Sequence, residues 1–277
     1  MDHHRSTTSR DGAAPGCTPA TAAPVRDFAH DPWIWRTFPS LRALACVVDL
    51  PTPVGDVSSE GSDAQLLAPL RAAAAEHLHI VRSQQHRPAE SSLDSIKAWR
   101  AAFATTGVRP TQYRCAAESL LRRLRTHGDL PRLHPLVDLG NALSMRWAVP
   151  VAIIDLDRVQ GCLRVTRAVG EEEHETFAGD IEHPEPGEVA YVDDAGHAHS
   201  RRWCWRQSGR SVISPATRRA LVVAEALHER AEDDLGELAA ALVEALGRVD
   251  VAAVPVMVSE AAPALALPAA GEVGGWS

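Results

Sequence analysis

Asp155 and Asp157 stand two residues apart where an apolar run ends, and paired carboxylates so placed can act as a general base or hold a cation. At a strand end the same pair commonly caps the turn that follows. Asn141 is a third polar candidate, on the polar face of the helical pattern upstream. His197 and His199 share one face of an extended segment at i, i+2, a spacing that zinc uses, but no nearby cysteine or third histidine completes a ligand set. His77 and His79 do not face each other on a helix and are weaker again. Cys204 lies between Trp203 and Trp205, downstream of His197 and His199, which is the outline of a thiol nucleophile. Only the flanking arginines would lower its pKa, so a buried, inert thiol is the simpler expectation. Trp203 and Trp205 at i, i+2 can form a stacking platform for a base or an aromatic amino acid, although rings of that size default to the core.

Charge is distributed unevenly. Arg201, Arg202, Arg206, Arg210, Arg218 and Arg219 fall between Asp194 and Glu225 with no acid among them, whereas residues 171–188 are acidic. Such an arginine stretch can receive phosphates or a carboxylate. The net charge of −8 argues against a protein that coats nucleic acid indiscriminately. Lys97 is the only lysine, so arginine identity by itself carries little information. Hydrophobic content of 45% and charged content of 23% over 277 residues are ordinary for a globular protein with an ample core. No apolar stretch is long enough to span a bilayer, and the N-terminus lacks the apolar core of a secretory signal, so the expected location is the cytoplasm. Five scattered cysteines fit reduced thiols better than a disulfide framework. Gly-rich phosphate loops and G-x-S-x-G are absent.

The elements that must position these groups can be read from periodicity and breakers. Residues 1–30 read as a disordered tail, with structure beginning at Trp33. Residues 41–50 read as a first strand, and residues 51–63 as a loop. Asp63 can cap a helix over 64–81 carrying Leu66, Leu67, Leu70, Ala74 and Leu78 on one face. Ser91 or Ser92 opens a helix bearing Ile96, Trp99 and Phe103 that Gly107 closes, and residues 115–125 form another, ending in arginines that suit its dipole. In 134–157, HPLVDLGNALSMRWAVPVAIIDLD, helical spacing gives way at Pro150 to a β-branched strand. A strand over 162–169 follows, then a hairpin of 188–193 and 196–205 whose return strand should place Arg202, Cys204 and Arg206 on one face and Arg201, Trp203, Trp205 and Gln207 on the other. Ser214-Pro215 reads as a helix start, and residues 220–227 as helix or strand, undecided by pattern. Residues 233–249 form a last amphipathic helix, and the tail from Ala252 is peripheral.

The stretch Val137-Asp138, Asn141, Pro150 and Asp155-Leu156-Asp157 resembles the B3/B4 domain, the tRNA-editing domain of the bacterial phenylalanyl-tRNA synthetase beta chain. The resemblance runs on through GCLRVTRAVG (161–170), PGEVAYVDDAG (186–196) and RRWCWRQ (201–207) to the threonine and apolar run of 217–227. Freestanding B3/B4-domain proteins are more similar still, since they add the helix with Ala98-Trp99-Arg100 and the segment Glu118 to Arg123. The resemblance implies a strand over 220–227 and a reaction that hydrolyses a mischarged aminoacyl-tRNA ester in a pocket between the helix–strand segment and the later sheet segment. It also exposes departures. Where the synthetase pattern has threonine before the helix asparagine, Gly140 stands; where it has histidine two residues after the proline, Ala152 stands. The glutamate of the later strand falls at about Val223, and Glu225 could substitute only by a shift along the strand.

These readings combine into an α/β fold, a single B3/B4-type domain over 31–250 with a mixed sheet flanked by helices, and tails at 1–30 and 251–277. The expected function is binding of tRNA or aminoacyl-tRNA, with deacylation in trans. The alternatives are an enzyme acting on a small amino-acid-like or aromatic metabolite, and a non-catalytic RNA-binding module. Candidate catalytic residues are Asn141, Asp155 and Asp157; candidate pocket residues are Gly140, Ala152, Trp203, Cys204, Trp205, Gln207 and Glu225; candidate RNA contacts are Arg201, Arg202, Arg206 and Arg210. No metal, cofactor or membrane is called for. ATP-binding and anticodon-binding motifs are absent, so full synthetase activity is not expected.

Overall fold

The computed structural model describes residues 26–50, 66–84 and 89–267. The expected cap Asp63 and the expected loop of 51–63 lie outside the described residues. In chain order the elements are β1 (Arg26–His30), α1 (Pro32–Thr37), β2 (Arg42–Asp49), α2 (Ala68–Ser83), α3 (Asp94–Thr105), α4 (Ala116–His127) and α5 (Pro135–Trp147). Then come β3 (Val151–Asp155), β4 (Leu163–Arg167), β5 (His174–Glu175), β6 (Ile181–Glu182), β7 (Val189–Asp193), β8 (Ser200–Arg201) and β9 (Arg206–Gln207). The last are β10 (Arg219–Ala226), α6 (Ala231–Gly247), β11 (Val256–Val258) and β12 (Ala264–Leu267).

Strand β10 is buried at every residue but the first, which identifies it as central. It pairs antiparallel with β2 along its whole length and with β3 on the other side, and β11 completes the order β11-β2-β10-β3. Alternate residues of β10 point into two different cores. Ala220, Val222, Ala224 and Ala226 join Leu139 and Leu143 of α5, Leu70 of α2, and Leu235, Leu238 and Leu242 of α6. Leu221 and Val223 join Trp99 and Phe103 of α3, Trp35 of α1, Trp203, and the residues of a second sheet. That second sheet has the order β12-β1-β4-β7 and is mixed, since β1 runs parallel to β4. The expected α/β architecture with a mixed sheet and helices is therefore present, and it contains an antiparallel sheet besides the mixed one.

Several boundaries move. β1 begins seven residues before Trp33 and buries Phe28 and His30, so residues 26–30 of the expected tail form a strand, while residues 1–25 lie outside the described residues. Five residues of one strand carry too little periodicity to stand out from a polar tail. The tail beyond Ala252 likewise supplies β11 and β12, edge strands whose pairing partners lie far away in sequence. α5 stops before Pro150, because Ala148 takes up a left-handed conformation (φ 54°) while Ser144 Oγ donates to the Val149 carbonyl at 2.7 Å. Ser214-Pro215 opens a turn rather than a helix: Ser214 Oγ accepts from the Ala216 N–H, and the chain enters β10 three residues later. The expected hairpin return strand is also broken. β8 ends at Arg201, and Arg202 (φ 45°) and Trp203 (φ 61°) form a tight turn into β9, so residues 201–207 do not alternate between two faces. Short-range pattern could not reveal two consecutive left-handed non-glycine residues, whose cost is met by burial of Trp203.

α5 and β3 approach closely at Gly140. A Cβ added there would meet Ile153 Cδ1 at 2.5 Å and Ile153 Cγ1 at 3.3 Å. The space for a side chain at this position is already filled by Ile153. Gly140→Thr should therefore cost about 1–3 kcal/mol by overpacking. In the double variant with Ile153→Ala the two losses should fall short of their sum by at least about 1 kcal/mol. Chemical denaturation of the three variants measures this; strictly additive losses would contradict the close approach.

Candidate functional site

Two of the three positions that diverge from the resembled pattern, Ala152 and Val223, come together. Ala152 of β3 lies directly opposite Val223 of β10 in the ladder, and Val151 opposite Ala224. The Glu225 N–H continues this register by donating to the Pro150 carbonyl at 3.3 Å. Ala152, Val223 and Glu225 all line one small cavity of about 70 Å³, walled also by Tyr191, His199, Trp203, Cys204, Trp205, Arg206 and Gln207. Six of the expected pocket residues thus converge: Ala152, Trp203, Cys204, Trp205, Gln207 and Glu225. Gly140 and Asn141 do not reach it. They line a neighbouring cavity of about 330 Å³ with His134, Val137, Ile153, Phe177, Val212 and Ile213, and the two cavities share Val151 and Gln207 as walls. The smaller space is below the size of a ligand pocket, while the larger falls within the usual range of about 300–1,000 Å³. Asn141 additionally lines a groove of about 360 Å³ between α2 and α5, rimmed by Arg71, Arg82, Arg132, Asp129 and Asp138.

Glu225 is the polar centre of the small cavity. It is 2% exposed, yet its carboxylate is surrounded by donors: Tyr191 Oη at 2.5 Å, His30 Nε2 at 2.7 Å, and Trp203 Nε1 at 3.0 Å from both oxygens. Burial, then the Glu225 charge, pushes the Tyr191 phenol well above its ordinary value, so Tyr191 stays a donor. Trp203 packs edge-on against Trp99 (centroids 5.0 Å apart) and Phe38 (5.1 Å), which makes it a core residue and not a stacking platform. Trp205 is half-buried against Tyr113, with the Arg206 guanidinium 4.5 Å from its ring centre. Cys204 is no nucleophile in this state, because burial raises its thiol well above the ordinary value.

Asp155 and Asp157 stand apart from both cavities. Asp155 accepts from the Asp157 N–H at 3.0 Å and from Thr217 Oγ1 at 2.7 Å, while the exposed Asp157 lines neither cavity. Asp155 alone caps the turn after β3, as a carboxylate at a strand end commonly does. His30 and Tyr191 both bond Glu225 and were not legible as site residues: β1, which carries His30, was not read, and Tyr191 on the expected strand of 188–193 meets Glu225 only across the two sheets. Nor was Asp193, whose Oδ2 lies 3.1 Å from His197 Nδ1 and 3.2 Å from His199 Nε2. Burial works to raise the Asp193 carboxyl. The hydrogen bonds from His199, the Gln160 N–H and His197 outweigh it and hold the group well below the carboxylate range.

The arginine stretch finds its counterions in the acidic one. Arg201 is 5% exposed and grips Glu188 through Nε and Nη2 at 3.0 and 2.9 Å, with Nη1 2.9 Å from Glu182. It is enclosed, so it is not the surface RNA contact expected from sequence. The Arg202 N–H also donates to Glu188, and its guanidinium lies over Tyr113 at 4.0 Å. Arg206 and Arg210 face Glu182, Glu173 and Glu175 at 3.9 Å, and Arg219 pairs with Asp49. Burial alone would raise Glu188, but Arg201 and Arg202 reverse this and lower it. As the pH falls through about 4, the unfolded chain therefore takes up the proton first, and the contribution of Glu188 is complete above that pH and lost below it. Glu188→Gln should lose about 3–5 kcal/mol at neutral pH, as expected for a buried pair deprived of one charge, and should show a flatter loss of stability in acid. Denaturation curves across pH test this; a loss under about 1 kcal/mol would show that the pair does not hold the turn.

No helix among the described residues is long and apolar enough to cross a membrane. No curated protein matches the chain. One solved structure that it resembles is an N-terminal fragment of the phenylalanyl-tRNA synthetase beta-subunit from Pyrococcus horikoshii, with 9% identity, a TM-score of 0.37, and coverage of 46% of this chain and 45% of that one. The chain thus spans less than half the length of that fragment. The family model described as the B3/4 domain matches residues 98–236, a span that runs from α3 through β10 into α6 and holds most of the walls of both cavities. By that match the chain belongs to the B3/4 domain family.

Proposed function

We propose that this protein binds tRNA or aminoacyl-tRNA in the manner of the editing domain of the phenylalanyl-tRNA synthetase beta chain, and hydrolyses mischarged aminoacyl-tRNA in trans, in the cytoplasm. The observation that carries this reading is the 330 Å³ cavity between α5 and β3, of a size for an aminoacyl group and placed within the family match. Asn141 on its wall offers an amide to orient the ester, and Gln207 stands between it and the small cavity around Glu225. Trp205, with the Arg202 and Arg206 guanidinium carbons 4.9 and 4.5 Å from its ring centre, is where we place the contact with a nucleotide.

One observation favours a second reading, an enzyme acting on a small amino-acid-like ligand without RNA. The arginines that would meet phosphates already have carboxylate neighbours, so RNA would compete with Glu173, Glu175 and Glu182 for them. Salt separates the readings. Each phosphate neutralised on a single strand gives a slope of roughly −0.7 in log affinity against log salt. We expect tRNA binding with such a slope, weakened by Arg206→Ala. We also expect deacylation of at least one charged tRNA in a panel, falling at least about tenfold in Asn141→Ala. No turnover with any charged tRNA would remove editing, and salt-independent binding would remove the RNA surface.

A further inference from the structure

The cavity of about 330 Å³ between α5 and β3 has no Asp, Glu, Lys or Arg among its described wall residues. The groove of about 360 Å³ beside it, which shares Asn141, is rimmed by three arginines and two aspartates. Neutrality is therefore a local property of the one cavity. Two of its apolar walls lie largely in water, Leu133 at 49% and Phe177 at 70% exposed. Apolar side chains open to water on the rim of a cavity are surface that a ligand can cover. Phe177 is held in place despite its exposure. Thr176 Oγ1 accepts from the N–H groups of Ala178 and Asp180 at 3.3 and 3.1 Å, and the Thr176 N–H donates to the Asp180 carbonyl at 2.8 Å. Behind the turn, Gly209 packs so closely that a Cβ there would stand 2.6 Å from the Thr176 carbonyl oxygen. A ring on a fixed turn loses little freedom when a ligand covers it. The polar walls are three. His134 Nδ1 caps α5 by accepting from the Leu136 N–H at 3.3 Å. Gln207 spends Nε2 on the carbonyls of Ile153 and Ser211, at 2.7 and 3.2 Å, and keeps Oε1 as an acceptor. Asn141 is half-buried, and its amide makes no hydrogen bond among the described residues, so a donor and an acceptor are both open there.

We propose that this cavity takes the side chain of the aminoacyl group and selects uncharged, apolar ones, branched aliphatic or phenyl, with Phe177 as a specificity-determining wall. The proposal rests on the aminoacyl-tRNA reading above and names which aminoacyl groups the site accepts. A charged side chain would leave water without a counter-charge on these walls, so its desolvation would go uncompensated. A phenol would bury its hydroxyl with no carboxylate to accept the proton, because Glu225 lines the small cavity and not this one. A phenyl or isobutyl group gives up no hydrogen bond and covers the exposed faces of Leu133 and Phe177. Volume does not exclude them, since an apolar cavity of about 150 Å³ already takes up benzene. The Asn141 amide and Gln207 Oε1 remain for the polar end that every aminoacyl ester shares, its carbonyl and its α-amino group, so they hold the ligand without choosing among side chains.

The test is equilibrium binding of stable 3′-aminoacylamino-adenosine analogues, in which an amide replaces the ester, beside deacylation of tRNAs carrying the same amino acids. Leucyl, phenylalanyl, tyrosyl, lysyl and aspartyl forms are compared on wild type, Phe177→Ala and Val212→Asp. On wild type the leucyl and phenylalanyl analogues should bind at least about tenfold tighter than the lysyl and aspartyl ones, and phenylalanyl tighter than tyrosyl. Phe177→Ala should lower the leucyl-to-lysyl ratio at least about threefold while leaving the lysyl affinity within about twofold. Val212→Asp sets a carboxylate on a half-buried wall and should favour lysyl over leucyl. Should that variant not fold, Phe177→Ala, whose ring stands mostly in water, carries the test. Lysyl or aspartyl binding as tight as leucyl on wild type would overturn the proposal, as would tyrosyl binding tighter than phenylalanyl or no binding by any analogue. An unchanged ratio in Phe177→Ala would overturn the role of Phe177. The apolar preference without turnover of any charged tRNA would uphold the proposal and remove hydrolysis. Turnover of charged tRNAs without that preference would overturn the proposal and leave hydrolysis standing.

Discussion

The buried Glu225 carboxylate is the interaction on which the rest of the arrangement depends. It projects from the central strand β10 into the core between the two sheets and takes hydrogen bonds from His30 on β1, Tyr191 on β7 and Trp203 in the turn after β8. One side chain thereby ties the antiparallel sheet to the mixed one and fixes the turn that walls the small cavity. A carboxylate removed from water is tolerable only when hydrogen-bonded on this scale. Those same donors leave Glu225 little capacity to bind a ligand, so its part in the cavity is to shape and polarise it.

A second constraint is the interlocking of two charge blocks. Residues 171–188 carry the acids and 201–210 the arginines, and Glu188 with Arg201 forms the buried core of their contact. Read as a linear sequence, the arginines suggest a phosphate-binding surface. Folded, most of that charge is used internally, and the exposed remainder is the outer edge around Trp205 and Arg206. The function of the surface is therefore set by how few arginines remain available rather than by how many the stretch contains.

The helix–strand segment was legible because it combines helical spacing with a β-branched run, and both signals are local. So was the place of β10, once the resemblance was added to an ambiguous apolar run. Three features were not legible, each for a physical reason. β1, β11 and β12 are short and stabilised by partners more than a hundred residues away, which no window of sequence contains. The 202–203 turn uses left-handed backbone on an arginine and a tryptophan, residues that rarely adopt it. The Asp193–His199 contact joins residues whose i, i+6 spacing has no meaning in a straight strand and arises only because the hairpin folds back. Gly140 was visible as a departure from the resembled pattern, but its reason, Ile153 occupying the space, is a packing fact.

The most direct measurement on the central claim is the unfolding free energy of Glu225→Gln beside wild type. The variant sets an amide donor against three donors and removes a buried charge; we expect a loss of about 3 kcal/mol or more, with altered tryptophan fluorescence. A loss under about 1 kcal/mol with unchanged fluorescence would contradict it, and would mean that the two sheets are held together by apolar packing alone.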